Sequence, residues 1–342
     1  MEPLVRELNK RPGVCYATSD EGIELPVIDV THPAFAVDPG EAELARMRSQ
    51  CLRQARLRAW LPGFVHRGIM RFLRQRSTLL RAGLARDQAT AAGSTGDFMS
   101  GTATYLWKVG PENLGAGYAN PLDRTLAATL PPLATRLRLR DTARMIAGSL
   151  ERAAGRARWD LVNLGGGPAM DSINALILVR RRGPHLLERP ISIHVFDRDE
   201  AGPAFGARAL AALRESGPLA GVDVSLRFVR HDWAEVARLR QQLEPLRASA
   251  VVASSEGALF DYGTDQAIVE NLAALRELTG PDFTVVGDVV NDDELTRLIM
   301  KETGLAVRPL GLPGLRALAE RAGWRIDQTV GQVFRLVKAP PR

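Results

Sequence analysis

From residue 159 to the C-terminus, short apolar runs alternate with helix-length amphipathic stretches, and no other feature constrains the fold as strongly. The runs at 159–164 (WDLVNL), 191–196 (ISIHVF), 224–229 (VSLRFV), 249–253 (SAVVA) and 283–288 (FTVVGD) read as strands. Helical patterns at 171–182, 203–215, 233–243, 264–278 and 292–303 follow them in turn. Strands separated by helices imply a parallel sheet covered on both faces, with its ligand crevice beyond the carboxyl ends of the strands. After a sixth helix at 312–322 come two more runs, 324–329 and 333–338, joined only by Val330, Gly331 and Gln332. Three residues cannot hold a crossover helix, so the last strand must return antiparallel as a hairpin. The expected fold is α/β: a doubly wound, seven-stranded, mostly parallel sheet closed by an antiparallel hairpin.

Upstream of residue 158 the texture is helical and irregular. Leu44, Met47, Cys51 and Ala55 fall at helical spacing over 41–59, with Glu41 and Glu43 at the positive end of the helix dipole. Further helices are expected at 66–86, 122–136 and 139–154. The stretch 93–120, rich in glycine and aromatics, reads as loops or short elements, either a lid or a plain connection. The chain thus divides into a mainly helical region, 1–155, expected to cover a substrate or meet a partner, and an α/β domain, 156–342.

The composition, 45% hydrophobic and 25% charged, is that of a globular chain. No run of about 18 apolar residues suits a membrane span, and the first thirty residues lack the basic start and apolar core of a secretory signal, so a cytoplasmic protein is expected. Cys15 and Cys51 show no metal-ligand spacing and the five histidines are scattered, so no metal site is expected. The net charge is +6, but only four of the 45 basic residues are lysine. That skew points to coding bias rather than to nucleic acid, because single-strand binders interleave basic with aromatic side chains. One local excess stands out. Between Leu44 and Arg86 there is no acid, while Arg46, Arg48, Arg53, Arg56, Arg58, Arg67, Arg71, Arg74, Arg76, Arg81 and Arg86 all occur. This segment is either a solvated helix face or a dock for an acidic protein partner or a phosphate-bearing substrate.

The first strand of the α/β part runs through Asn163 into Gly165-Gly166-Gly167-Pro168-Ala169, then a helix. Glycines there let a ligand approach the backbone, and the helix start offers free N–H groups. The second strand ends at Asp197-Arg198, where a carboxylate can accept two ribose hydroxyls. The third ends in His231-Asp232-Trp233, and the fourth in Ser254-Ser255-Glu256, followed by Asp261 and Tyr262. Asp288, Asn291, Asp292 and Asp293 read as helix-start residues rather than a metal cluster.

These four strand ends, with the tail LPGLRALAERAGWRIDQTVGQVFRLVKA, give the C-terminal part its resemblance to class I S-adenosylmethionine-dependent methyltransferases, whose closing hairpin NAD-binding domains lack. The resemblance implies methyl transfer from S-adenosylmethionine to a small-molecule acceptor, a specialised metabolite, with S-adenosylhomocysteine as product. It implies a cofactor site at Asn163, Gly165, Gly166, Gly167, Asp197, Arg198, Asp232, Trp233 and Ser255. Gly165 and Gly167 would border the methionine part, Asp197 the ribose, and Asp232 the adenine amino group. The fourth strand end would face the transferable methyl, making Glu256 and Tyr262 candidates for catalysis; His231, with an ordinary pKa near 6.5, is a candidate general base. The sequence departs from the family at Asn163, where an acid is usual, and at Ala169, where a third glycine is usual. Two rivals follow: a protein on this fold that does not methylate, and a partner subunit docking through its arginines. An NAD-dependent oxidoreductase ranks behind both. A homo- or heterodimer is compatible with each.

Overall fold

The computed structural model describes residues 10–77, 79, 101–115, 119–303 and 306–340. The chain opens with a two-stranded antiparallel ribbon, β1 (Tyr16–Thr18) and β2 (Glu24–Pro26). Helices α1 (Glu41–Ala59), α2 (Gly63–Arg76), α3 (Gly101–Val109), α4 (Pro121–Ala127) and α5 (Leu130–Arg152) follow. The α/β part then runs β3 (Trp159–Leu164), α6 (Met170–Arg182), β4 (Ile191–Asp197), α7 (Ala201–Ser216), β5 (Val224–Arg230), α8 (Val236–Leu243), β6 (Ala250–Ser255), the single turn α9 (Leu259–Tyr262), α10 (Asp265–Glu277), β7 (Thr284–Asp288), α11 (Glu294–Thr303), α12 (Gly311–Arg321), β8 (Trp324–Val330) and β9 (Val333–Lys338).

The seven strands lie in the order β5-β4-β3-β6-β7-β9-β8. Pairing is parallel from β5 to β7, and β9 is antiparallel to both β7 and β8. Strand β3 sits where the order reverses, and all six of its residues are buried, as expected of a central strand covered on both faces. On one face the core joins α5, α6 and α7 to α3 and the β1–β2 ribbon; on the other it joins α8, α10 and α12. Buried polar bonds seat the N-terminal segment. The Asn174 side chain of α6 donates to Ile28 O at 2.9 Å and accepts from Val30 N at 2.8 Å, while Tyr105 of α3 accepts from Ile28 N at 3.1 Å.

The expected strands are all present, to within two residues at either end. The N-terminal part differs more. The two helices expected at 122–136 and 139–154 divide instead at Ala128 and Thr129, because Pro131 and Pro132 have no N–H to donate and suit only a helix's first turn. Helix α4 is fixed by a capping box: Asn120 accepts from Asp123 N at 3.1 Å and Asp123 accepts from Asn120 N at 2.9 Å. Within the stretch 93–120, residues 101–109 form a helix that buries Tyr105, Leu106 and Val109; residues 93–100 lie outside the described residues, as do 80–86 of the helix expected at 66–86. Among the described residues, no helix is long and apolar enough to cross a membrane.

Part of the arginine-rich segment meets its acids within the chain. Arg48 pairs with Asp293 at 2.5 Å, Arg58 with Glu302 at 2.9 Å, and Arg56 holds Glu294 with two bonds of 2.5 and 2.7 Å, so α1 lies along α11. Asp293 also accepts from Thr296 N at 2.9 Å and starts α11, as its place in the sequence suggests.

Candidate functional site

The crevice lies beyond the carboxyl ends of β3, β4, β5 and β6. Gly165 and Gly167 both take positive φ, 69° and 52°, which lets the chain turn sharply from β3 into α6. Ala169, at the third glycine position, sits at φ 53°, the one non-glycine residue with positive φ among the described residues. A Cβ on Gly166 would lie 2.1 Å from the Asn163 side chain, so the loop rests directly on that amide. From the other side α7 closes in: a Cβ on Gly202 would meet Gly167 Cα at 2.9 Å, and one on Gly206 would meet Pro168 O at 2.4 Å. The loop is therefore gripped between strand and helix.

Asp197 is joined to this loop. Its carboxylate accepts from Gly167 N at 2.9 Å and from Asp199 N at 3.0 Å, and burial raises its pKa against the pull of those two N–H groups. Asp232 accepts from Ala234 N at 3.0 Å and stands 3.4 Å from Arg198 Nε, so the two residues form a half-exposed pair at the crevice rim. Trp233 places its ring 3.1 Å from where a Gly165 Cβ would stand, and Ala258 lies opposite at 2.7 Å. Ser255 is committed to the fold: its hydroxyl donates to Leu164 O at 2.8 Å and accepts from Leu259 N at 3.0 Å.

The three residues with expected proton-handling roles fall on two flanks. His231 is buried beside β5, its ring 5.8 Å edge-on to Phe196, and burial lowers its pKa despite the neighbouring Asp232 carboxylate. It lies across two strands from Glu256. Glu256 is buried at the end of β6 and ion-paired to Lys108 of α3, with its second oxygen unpartnered. Tyr262 sits nearby, its phenol pKa raised by burial and by the adjacent Asp261.

Around Glu256 lies a buried charge cluster. Arg138 of α5 bonds to Asp261 at 3.2 Å and to Asp288, whose other oxygen accepts from Gly257 N at 2.7 Å. Asp288 is thus no helix-start residue; it anchors the loop after β6 to α5. Burial pushes the Asp261 carboxyl up to about 8, with the Asp288 charge adding to the rise and Arg138 opposing it. On the loop side, Asn163 donates to Asp171 at 2.8 Å and to Ser254 at 3.0 Å; burial pushes Asp171 up to about 6. Lys108, Arg138 and Asp171 are the residues that reading the sequence missed. Asp171 alone carried a local signal, an acid in the first turn of a helix that follows a glycine loop. Among the described residues, no group of three or more His, Cys, Asp or Glu side chains is arranged to hold a metal ion.

No family model and no curated protein matches the sequence. Solved structures do resemble it. A Bordetella parapertussis protein described as a possible exported protein is 19% identical over 89% of this chain and 98% of that one, with a TM-score of 0.54. The magnesium protoporphyrin IX methyltransferase of Synechocystis, with bound S-adenosylhomocysteine, is 13% identical over 62% and 89% of the two chains, TM-score 0.42. An O-methyltransferase family protein from Burkholderia thailandensis is 17% identical over 60% and 58%, TM-score 0.38. At 19% identity the likeness to the Bordetella protein is one of fold. Seven strands in the order found here, six running in one direction and β9 alone against them, with helices on both faces, give this chain the class I methyltransferase fold.

Proposed function

We propose that the chain binds S-adenosylmethionine across the carboxyl ends of β3, β4 and β5 and directs its methyl group to a small-molecule acceptor, a specialised metabolite, near Glu256. The observation that carries this reading is the bond from Gly167 N to Asp197, which makes the glycine loop and the acid of the neighbouring strand a single cradle. The residues present fit the group. Each Asp197 oxygen accepts one N–H from the fold and keeps a lone pair for a ribose hydroxyl. Asp232 is reachable at the rim for an adenine amino group, beside the Trp233 ring. Buried acceptor atoms without partners, Asn163 Oδ1 and Asp171 Oδ2, lie below the loop, and acceptors are what an ammonium group needs.

When bound, S-adenosylmethionine supplies an electrophilic methyl group and leaves as a thioether that keeps the sulfur's electron pair. The chain's own part is alignment, exclusion of water and acceptance of a proton. Glu256 Oε1, unpartnered and held by the Lys108 pair at its other oxygen, stands ready to accept the proton of an acceptor hydroxyl. Residues 1–155 serve as the cover over 156–342, since Lys108 comes from α3. Transfer of labelled methyl to a panel of phenols, carboxylic acids and amines tests the reading; no transfer to any class, with the donor bound, would count against it.

A second reading, a protein on this fold that does not methylate, is favoured by one observation: Trp233 and Ala258 crowd Gly165, where a donor would pass. Binding of the donor without transfer would support it.

A further inference from the structure

Arg136 of α5 stands out as a half-buried arginine in the protein's interior-facing layer that has no bonded partner among the described residues. Among the described residues it makes no hydrogen bond and no ion pair, and its Nε is buried without a partner. Its guanidinium is nonetheless held in place, because Gly110 packs beneath it: a Cβ there would stand 3.0 Å from Nη1. Burial lowers the Arg136 pKa, and Glu112 on the surface offsets this only in part. Leaving a half-buried guanidinium with only a distant surface carboxylate and no bonded partner is costly, and such a group needs a reason.

The reason lies in the cleft that Arg136 lines, between α5, Lys108 and the segment that follows β2. Its apolar wall is Ile28, Val30, Phe35 and Leu139, and its polar lining is wholly cationic: Lys108, Arg136 and Arg140. Lys108 is already matched by Glu256, and Arg140 by Asp141 at 2.8 Å and 3.1 Å. One positive charge remains, on the side chain whose planar fork suits a carboxylate. The enclosed space is about that of one water molecule, room for a single carboxylate oxygen against the guanidinium, with the second oxygen and the apolar remainder of a ligand lying outward along the wall. We infer that this cleft binds the carboxylate of a small apolar monoanion, with Arg136 as its counter-ion. Because Lys108 joins the cleft to Glu256, the bound acid stands beside the proposed methyl-transfer point. Its identity as the acceptor rests on the reading above; its binding does not.

The test uses the intact protein without any S-adenosyl compound, so that failure of the anion site and failure of methyl transfer are separate results. Benzoate, the neutral isostere benzamide and inorganic phosphate are titrated against wild type, Arg136→Gln and Arg136→Lys, with binding followed by ligand-observed NMR. Benzoate is expected to bind at least tenfold more tightly than benzamide and phosphate. Arg136→Gln should abolish that preference, and Arg136→Lys should keep only part of it, since an ammonium cannot bond both carboxylate oxygens in a fork. Arg136 bonds to nothing among the described residues, so Arg136→Gln should melt no lower than wild type. Equal binding of benzoate and benzamide, a preference for phosphate, a benzoate preference that survives Arg136→Gln, or no binding of any probe would each overturn the proposal.

Discussion

Asn163 Nδ2 lies 2.8 Å from Asp171 Oδ1, so the acid beneath the glycine loop belongs to the first turn of α6 and the amide to the end of β3. Asp171 is buried and its second oxygen has no partner. Burial, with the Glu256 charge adding to it, pushes the carboxyl up to about 6. A carboxyl raised above its unfolded value is penalised when ionised. The penalty is absent below the unfolded pKa near 4 and fully present above about pH 6. Asp171→Asn should therefore match wild type in stability near pH 4 and exceed it by about 2 kcal/mol at pH 8. Urea unfolding at the two pH values reads this directly; a gain independent of pH would refute the assignment.

Lys108 and Glu256 form a buried pair, each less than a tenth exposed. Removing one partner strands the other charge, so Lys108→Met and Glu256→Leu should each cost about 3 to 5 kcal/mol, and the double variant should cost much less than their sum. Additive losses in a double-mutant cycle would show that the two side chains do not depend on each other.

Close packing of α7 on the loop makes Gly206 irreplaceable, since a Cβ there would stand 2.4 Å from Pro168 O. Gly206→Ala should cost on the order of 1 to 3 kcal/mol and disturb the cradle of Gly167 and Asp197. Gly155 has open space where its Cβ would go, so Gly155→Ala should stay within about 0.5 kcal/mol of wild type. Equal effects at the two positions would contradict the packing described.

Ala169 holds a left-handed conformation with no exposed surface. Glycine would relieve a strain of about 1 kcal/mol but remove a buried methyl worth about 0.8 kcal/mol, so Ala169→Gly should be nearly neutral. Ala169→Val should cost more than about 2 kcal/mol, because a branched Cβ is poorly tolerated at positive φ. Thermal melts of both variants decide the point.

What the sequence revealed and what it hid follow from the range of the interactions. Strands β3 to β9 were legible because their apolar runs, glycines and helix-length spacers are local, and the closing hairpin because three residues cannot hold a crossover. Gly165, Gly167 and Asp197 were legible for the same reason: the glycines follow one readable strand and Asp197 ends the next. Lys108 and Arg138 were not, since their partners lie about 150 residues away. In the run Arg136, Arg138, Arg140, one arginine is buried among carboxylates, one is unpaired and one is matched locally, and only tertiary packing tells them apart. The helix over 101–109 was obscured by flanking glycines, which gave the stretch the texture of a loop.

The central claim is that Asp197 and the glycine loop form an S-adenosyl cradle. Calorimetric titration of the folded protein with S-adenosylhomocysteine tests it most directly, with Asp197→Ala as the matched variant. Binding in the micromolar range, weakened about 5- to 150-fold in Asp197→Ala as loss of about 1 to 3 kcal/mol of hydrogen bonding requires, is the expected result. Absence of binding by a wild-type protein shown to be folded, or equal binding by the variant, would contradict the account.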